Sequence, residues 1–98
     1  MRMIVGILKV ELELADIGSL KDKRSIVKPI VAKLMHQFHV HAAEVERQDE
    51  HDAATLGVVM CGNDQRHVNE VLSKVSEWLE TRQFEAHVAD VELTFMQA

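Results

Sequence analysis

The stretch "IVGILKVELEL", Ile4–Leu14, decides the fold because its side chains alternate in polarity. Apolar residues and one glycine occupy every second position, and Lys9, Glu11 and Glu13 fall between them toward the end of the stretch. A period of two is typical of a strand that buries one face and exposes the other. The sequence therefore predicts that the chain begins with a half-covered β-strand.

Two segments with helical periodicity occur after this strand, one directly and one later in the chain. Ser19 is a natural N-cap, and apolar residues recur at helical spacing over residues 20–38. Pro29 lies inside this segment, and because proline removes a backbone hydrogen bond we expect a kink or a late helix start. The second segment has Asn63 or Asp64 as its cap and a clean apolar stripe from Val68 to Leu79.

Three further strands complete the pattern, and together with the helices they define the fold class. The order is β-α-β-β-α-β, which with right-handed crossovers gives a ferredoxin-like α+β sandwich. We expect one domain over residues 1–98, with a four-stranded antiparallel sheet, strands 1 and 3 at its centre, and both helices on one face. The three strands are predicted over residues 40–48, 54–62 and 86–96.

Composition and charge limit the classes of function. The chain has 98 residues, a single cysteine and a net charge of −5, and its apolar runs are far shorter than the roughly 20 residues of a membrane span. With no leader-like segment, these features predict a cytoplasmic protein that does not enter a membrane. Residues 20–33 hold five cations and one acid. DNA or RNA binding by the whole acidic surface is therefore not expected, whereas a local anion site is compatible with this distribution.

The basic start of the first helix is the main candidate site. A helix N-terminus carries partial positive charge, so cations there do not help the helix. Lys23 falls on the buried stripe, where it must overhang the core, unwind the turn, or pair with an acid such as Glu44 or Glu46. The alternatives are a solvated helix end with one structural ion pair, or a site for phosphate on an anion or RNA. The residues of the predicted site are Lys21, Lys23, Arg24 and Lys28.

The uncovered face of the sheet is the second candidate. We expect its apolar end to form a homodimer contact, with an incompletely covered monomer as the alternative. Base stacking is not expected, because no aromatic residue falls on this face and the chain has no tyrosine. The predicted dimer face comprises Met3, Val5, Ile7, Val59, Cys61 and Met96. The opposite, acidic end comprises Glu11, Glu13, Glu44, Glu46, Asp90 and Glu92.

Catalytic and metal chemistry find little support in the sequence. His36, His39 and His41 are close in sequence, but they span a helix end and a strand start and need not converge. No glycine-rich phosphate loop and no nucleophile with its base can be recognised. We therefore expect no enzymatic activity, no catalytic residues, no metal and no cofactor.

Four short motifs occur in a characteristic order and spacing: Ser-Leu-Lys-x-Lys-Arg at 19–24, Ala-Glu-Val at 43–45, Gln48-Asp49 and Asn63-Asp64. Together they resemble the small bacterial family known as DUF503 or YlxP-like, and the resemblance covers nearly the whole chain. It implies a ferredoxin-like fold, no established enzymatic activity, and, from neighbouring translation genes, association with the ribosome. Gln48 and Asp49 are thereby candidates for partner contact, although such a polar pair also commonly forms a turn. After them, Glu50–Ala53 depart from the apolar and basic residues usual in the family.

The sequence thus predicts a non-enzymatic accessory protein of translation or ribosome maturation, which binds the ribosome or ribosomal RNA through the basic start of helix 1. The alternative is a dimeric regulatory module that binds a small anionic metabolite at the same place. Salt dependence separates them, because several phosphate contacts give a steep loss of affinity with salt and one small anion a shallow loss.

Overall fold

Six regular elements form the structure, a computed structural model that describes residues 2–15, 17–81 and 86–98. The predicted order β-α-β-β-α-β is confirmed, and each predicted strand is present. The elements are β1 (Ile4–Leu14), α1 (Leu20–Phe38), β2 (His41–Glu46), β3 (Ala53–Gly62), α2 (Gln65–Glu80) and β4 (Ala86–Gln97).

The four strands form one antiparallel sheet in the order β2-β3-β1-β4. β1 and β3 are the central strands, as predicted, and Leu8 of β1 lies between Val58 of β3 and Leu93 of β4. β2 and β4 are the edges. With both helices on one face of the sheet, this is the ferredoxin-like α+β arrangement.

Both helices begin at side-chain caps. Ser19 Oγ accepts a hydrogen bond from the backbone N–H of Asp22 at 3.1 Å, and α1 starts at Leu20. α1 continues as one helix past the exposed Pro29, so the expected late start was wrong. Asp64 is the cap of α2, its Oδ1 accepting from the N–H of Arg66 at 3.1 Å.

The core lies between the helices and one sheet face, and Gly6 determines how closely α2 approaches it. A Cβ atom on Gly6 would lie 2.5 Å from Val68 Cγ1 and 2.6 Å from Leu72 Cδ1. Such distances are too short for real side chains, so only glycine permits this approach. The buried apolar residues of β1 are those on the predicted inner face, and those of the helices are Val27, Leu34, Val68, Leu72, Val75 and Leu79.

A β-bulge in β2 changes which face its side chains occupy. Glu44 pairs with Leu56 of β3, but Glu46 pairs with Thr55, so Val45 is an extra residue without a partner. Regular pairing from His41 to Glu44 puts Glu44 on the helix-covered face with Leu56, and the bulge that follows puts Glu46 on the opposite face with Thr55.

No helix within the described ranges is long and apolar enough to cross a membrane.

Candidate functional site

Three cations of α1 form an exposed group that we call the basic flank, defined as Lys21, Arg24 and Lys28. All three side chains are exposed. At 100° per residue they lie within about 60° of one another around the helix axis. Within the described part of the chain none of them forms an ion pair. The structure therefore brings three of the four predicted anion-binding residues together, with their charges available to a ligand.

A groove of about 270 Å³ runs beside the basic flank, between α1 and β2. Arg24 and Lys28 line it together with apolar side chains of α1, and Glu44 of β2 closes its other side. Such a groove can hold an apolar group next to an anion. This groove was not predicted from the sequence, although the helical positions of the apolar residues beside Lys28 were a signal for it. The apolar lining is Val27, Val31, Ala32 and Met35.

Lys23 is the fourth predicted residue, and its position corrects the prediction. Its side chain is 1% exposed. The Nζ atom donates to the carbonyl oxygens of Arg47 and Glu50, both at 2.6 Å, and lies 2.7 Å from Glu44 Oε2. Because an ammonium group has three protons and three oxygens surround it, Lys23 has no proton left for an external phosphate. Lys23 is a structural residue that joins α1 to β2 and to the loop after it.

Glu44 was predicted on the acidic end of the uncovered sheet face, and this was wrong. Glu44 lies on the face toward α1 because it alternates regularly with Ala42 and pairs with Leu56, and the bulge at Val45 leaves only Glu46 on the open face. Its Oε2 atom is shielded from solvent, and the Lys23 ammonium is its compensating contact, with no further hydrogen bond. Of the two acids considered as partners for Lys23, the structure selects Glu44.

Gln48 and Asp49 form the exposed tip of the β2–β3 connection. The N–H of Glu50 donates to the carbonyl of Arg47 at 3.1 Å, so the pair occupies the two central positions of a four-residue turn. Arg47 has a positive φ of 63°. This geometry fits the turn interpretation of the two residues, and their predicted contact with a partner stays a prediction.

The face of the sheet away from the helices, which we call the open face, has an apolar half. Val5 pairs with Cys61 and Met96, Ile7 pairs with Val59, and Met3 extends the same row. The six residues predicted as a dimer face are therefore neighbours. Cys61 is an exposed free thiol. Whether a second copy covers these residues stays a prediction.

The other end of the open face is acidic, and we call it the acidic half. Lys9 stands at its border, with Nζ 3.1 Å from Glu46 Oε1. The hydrogen bond and charge of Glu46, with smaller effects of Glu11 and Glu92, raise the pKa of Lys9 above its usual value. Thr55, although buried, donates its hydroxyl to Glu11. The carboxylates of the acidic half belong to Glu11, Glu13, Glu46, Asp90 and Glu92.

Among residues 2–15, 17–81 and 86–98, no group of three or more His, Cys, Asp or Glu side chains is arranged to hold a metal ion. The basic flank with its groove and the two halves of the open face are candidate surfaces for a partner.

This combination defines a small ferredoxin-like protein with a basic helix flank on an otherwise acidic body. Residues 5–93 match the family described as "Protein of unknown function (DUF503)", and the chain belongs to this family. It is also similar to the "Uncharacterized protein YlxP" of Bacillus subtilis (strain 168). The two are 24% identical over 78 residues, which cover 80% of this chain and 85% of that protein.

One solved structure supports the fold assignment, and a second shows a weaker likeness. The de novo designed protein Foldit4 superposes with a TM-score of 0.59 at 11% identity, over 96% of each chain. SnoaB of Streptomyces nogalater, a cofactor-independent oxygenase solved as the mutant N63A, gives a TM-score of 0.48 at 12% identity, over 97% of this chain and 92% of its own. The first likeness concerns the fold alone, and the second is too weak to carry an argument.

Proposed function

We propose that this protein is a non-enzymatic, cytoplasmic accessory factor of translation or ribosome maturation that binds RNA phosphates through the basic flank. The observation that carries the proposal is that Lys21, Arg24 and Lys28 are clustered, exposed and not engaged in ion pairs. In a chain with a net charge of −5, three exposed cations share one side of a helix and form no ion pair within the described residues. Unpaired, clustered cations are what a phosphate-binding surface requires.

The position of the basic flank on α1 adds to this support. Lys21 lies in the first turn of α1, where a cation opposes the helix dipole, whereas a bound phosphate is favoured by that dipole. A phosphate ligand would therefore offset an arrangement that does not help the free helix. Lys21 and Lys28 are about 10 Å apart along the axis, so the basic flank can contact successive phosphates of one strand.

The test is co-sedimentation with ribosomal subunits, and equilibrium binding to ribosomal RNA, over a series of salt concentrations. The triple variant Lys21→Gln, Arg24→Gln, Lys28→Gln should lose salt-sensitive pelleting. Each phosphate contact removed should reduce the slope of log affinity against log salt by about 0.7–0.9. Lys23 is left unchanged, because its replacement would disturb the fold.

A matched control comes from the same helix. Lys33 is an exposed cation of α1 without an ion pair in the described chain, but it lies outside the sector of the basic flank. Lys33→Gln removes one charge and should change affinity less than Lys28→Gln. Equal effects of the two single variants would mean that only net charge matters. Absence of pelleting by the unaltered protein at every salt concentration would refute the proposal.

The groove beside the basic flank favours one alternative, a dimeric regulatory module that binds a small anionic metabolite. Its volume of about 270 Å³ and its apolar lining next to Arg24 and Lys28 suit an anion with an apolar part. A single small anion gives a shallow salt dependence, so the slope measured above separates the two functions. Met35→Gln should weaken binding of the metabolite and leave the affinity for RNA phosphates nearly unchanged.

A further inference from the structure

The open face exposes the large apolar side chains that the helices leave uncovered. Within the described residues, the large apolar side chains that are more than a third exposed are Met3 at 46%, Val45 at 47%, Val59 at 37% and Met96 at 58%. All four lie on the open face, since Met3 continues the row of Val5 and the bulged Val45 covers Gly57. A contiguous apolar surface of this kind is typical of an interaction site.

The acidic half lies directly beside this apolar surface. It holds five carboxylates against two cations, the ammonium of Lys9 and the guanidinium of Arg47, so its net charge is −3. Lys9 is engaged with Glu46, and Arg47 lies 3.8 Å from Glu11 and 3.9 Å from Glu50. Glu13, Asp90 and Glu92 have no such partner within the described ranges. A partner that covers the whole open face must therefore bring positive charge to one half and apolar groups to the other.

A second copy of this chain could match the apolar half of the open face but not the acidic half. The apolar half is three strands wide, because β2 begins only at the level of Val59, and about five residues long, which gives roughly 240 Å² of sheet per copy. A pair of such surfaces buries about 480 Å², below the roughly 1,200 Å² of a stable interface. Enlarging the overlap around a two-fold axis would set carboxylates against carboxylates or against apolar side chains, and both arrangements are unfavourable.

We infer that the open face binds a basic amphipathic helix of another protein. Apolar side chains of that helix would cover Met3, Val59 and Met96, and its Lys and Arg side chains would reach Asp90 and Glu92. A helix suits the face because helices pack on sheet faces, whereas a strand would add to an edge. The face extends over about 33 Å from Met3 to Glu13, which corresponds to a helix of roughly 22 residues.

The thiol of Cys61 provides a direct probe, because it is exposed on the apolar half and is the chain's one cysteine. The ligand probe is a 22-residue synthetic helix with leucines on one face of its first half and lysines on the same face of its second half. At saturation this peptide should slow maleimide labelling of Cys61 at least tenfold. A second peptide, with glutamate in place of lysine, should leave the labelling rate unchanged.

Two pairs of variants locate the charge contact. Asp90→Asn with Glu92→Gln removes two carboxylates of the acidic half and should lower the affinity for the basic peptide about tenfold. Glu70→Gln with Glu77→Gln removes two exposed carboxylates of α2 and should change affinity less than twofold. Met96→Gln should lower the affinity for the basic peptide without changing how that affinity depends on salt. Because all these side chains are exposed, the variants should keep the fold.

Each remaining outcome would overturn the inference. Failure of the basic peptide to bind, or binding without protection of Cys61, would mean that the open face is not its site. Equal effects of the two pairs of carboxylate variants would mean that the peptide responds only to the net charge of the protein. Protection of Cys61 that grows with protein concentration, together with a dimer in sedimentation equilibrium, would assign the face to a second copy. None of these measurements depends on the basic flank.

Discussion

The buried Lys23 ammonium lies 2.7 Å from Oε2 of the partly exposed Glu44, and this ion pair connects α1 to the edge strand β2. Two of the motifs that resemble the DUF503 family, residues 19–24 and 43–45, meet at this contact. The same ammonium holds the carbonyls of Arg47 and Glu50. The pair therefore explains part of the family pattern by folding rather than by ligand binding.

Removing one partner of this pair should strongly destabilise the protein. Lys23→Met leaves the partly exposed Glu44 without its counter-charge, and two carbonyls lose their donor. Breaking a fully buried ion pair typically costs about 3–5 kcal/mol, and because the Glu44 side chain is 20% exposed we expect a loss toward the lower end of this range in the free energy of unfolding measured in urea. Lys21→Met, at an exposed neighbouring position, should stay within about 0.5 kcal/mol.

The double variant Lys23→Met, Glu44→Leu distinguishes the effect of the uncompensated carboxylate from the effect of the lost hydrogen bonds to the loop after β2. It removes the uncompensated carboxylate, so it should recover much of the loss. Recovery should be incomplete, because the carbonyls of Arg47 and Glu50 still lack their donor. Amide exchange in residues 47–52 should therefore stay faster than in the unaltered protein. If Lys23→Met were as stable as Lys21→Met, the assigned role of the pair would be wrong.

Two glycines of the sheet should respond differently to alanine. Gly6→Ala places a methyl group against Val68 and Leu72 in the core, and such overpacking costs about 1–3 kcal/mol. Gly57→Ala meets Val45 Cγ1 at 3.0 Å, but Val45 is exposed and can shift. We expect the second variant to change the free energy of unfolding by less than about 0.5 kcal/mol. Urea denaturation of both variants checks this, and equal losses would contradict the close approach of α2 at Gly6.

The strand pattern and the helical stripes were sufficient to predict the fold. The alternation over Ile4–Leu14 determined the buried face, and of the six residues in the predicted apolar stripe of α2 four are buried, while Val71 and Trp78 are half-buried. The same spacing placed Lys23 on the buried side of α1, so its pairing with an acid could be anticipated. These are local periodicities, which a single sequence contains.

The choice between Glu44 and Glu46 could not be made from the sequence. Strict alternation puts both carboxylates on one sheet face, and only the bulge at Val45 separates them. A bulge depends on the register between β2 and β3, which is a tertiary property. The groove beside the basic flank was missed for a similar reason, because it depends on how far α1 lies from the edge of β2.

Pro29 offers a test of local strain in α1. It lies in the helix interior, has no N–H to donate to the carbonyl of Ser25, and is exposed. Pro29→Ala should stabilise the protein by about 1–2 kcal/mol, less than the roughly 3 kcal/mol difference in helix propensity, because proline also restricts the unfolded chain. A urea midpoint that fails to rise would show that α1 accommodates the proline without cost. Lys33→Ala, at an exposed position of the same helix, should have little effect.

The border between the two halves of the open face can be tested through Lys9. Glu46 contributes the largest part of the raised pKa of Lys9, through its hydrogen bond and its charge. Glu46→Gln should therefore lower this pKa more than Glu92→Gln does, and NMR titration of the lysine ε-methylene group measures both.

The direction of the shift also determines how this pair affects stability at different pH values. Because folding raises the pKa of Lys9, its contribution to stability is present below the unfolded pKa and disappears as the pH rises through the folded pKa. The difference in urea midpoint between the unaltered protein and Glu46→Gln should therefore diminish at alkaline pH. If Glu92→Gln lowered the pKa of Lys9 more than Glu46→Gln did, then Lys9 would be oriented toward β4 rather than β2. The acidic half would in that case offer Glu46, and not Glu92, as a free carboxylate.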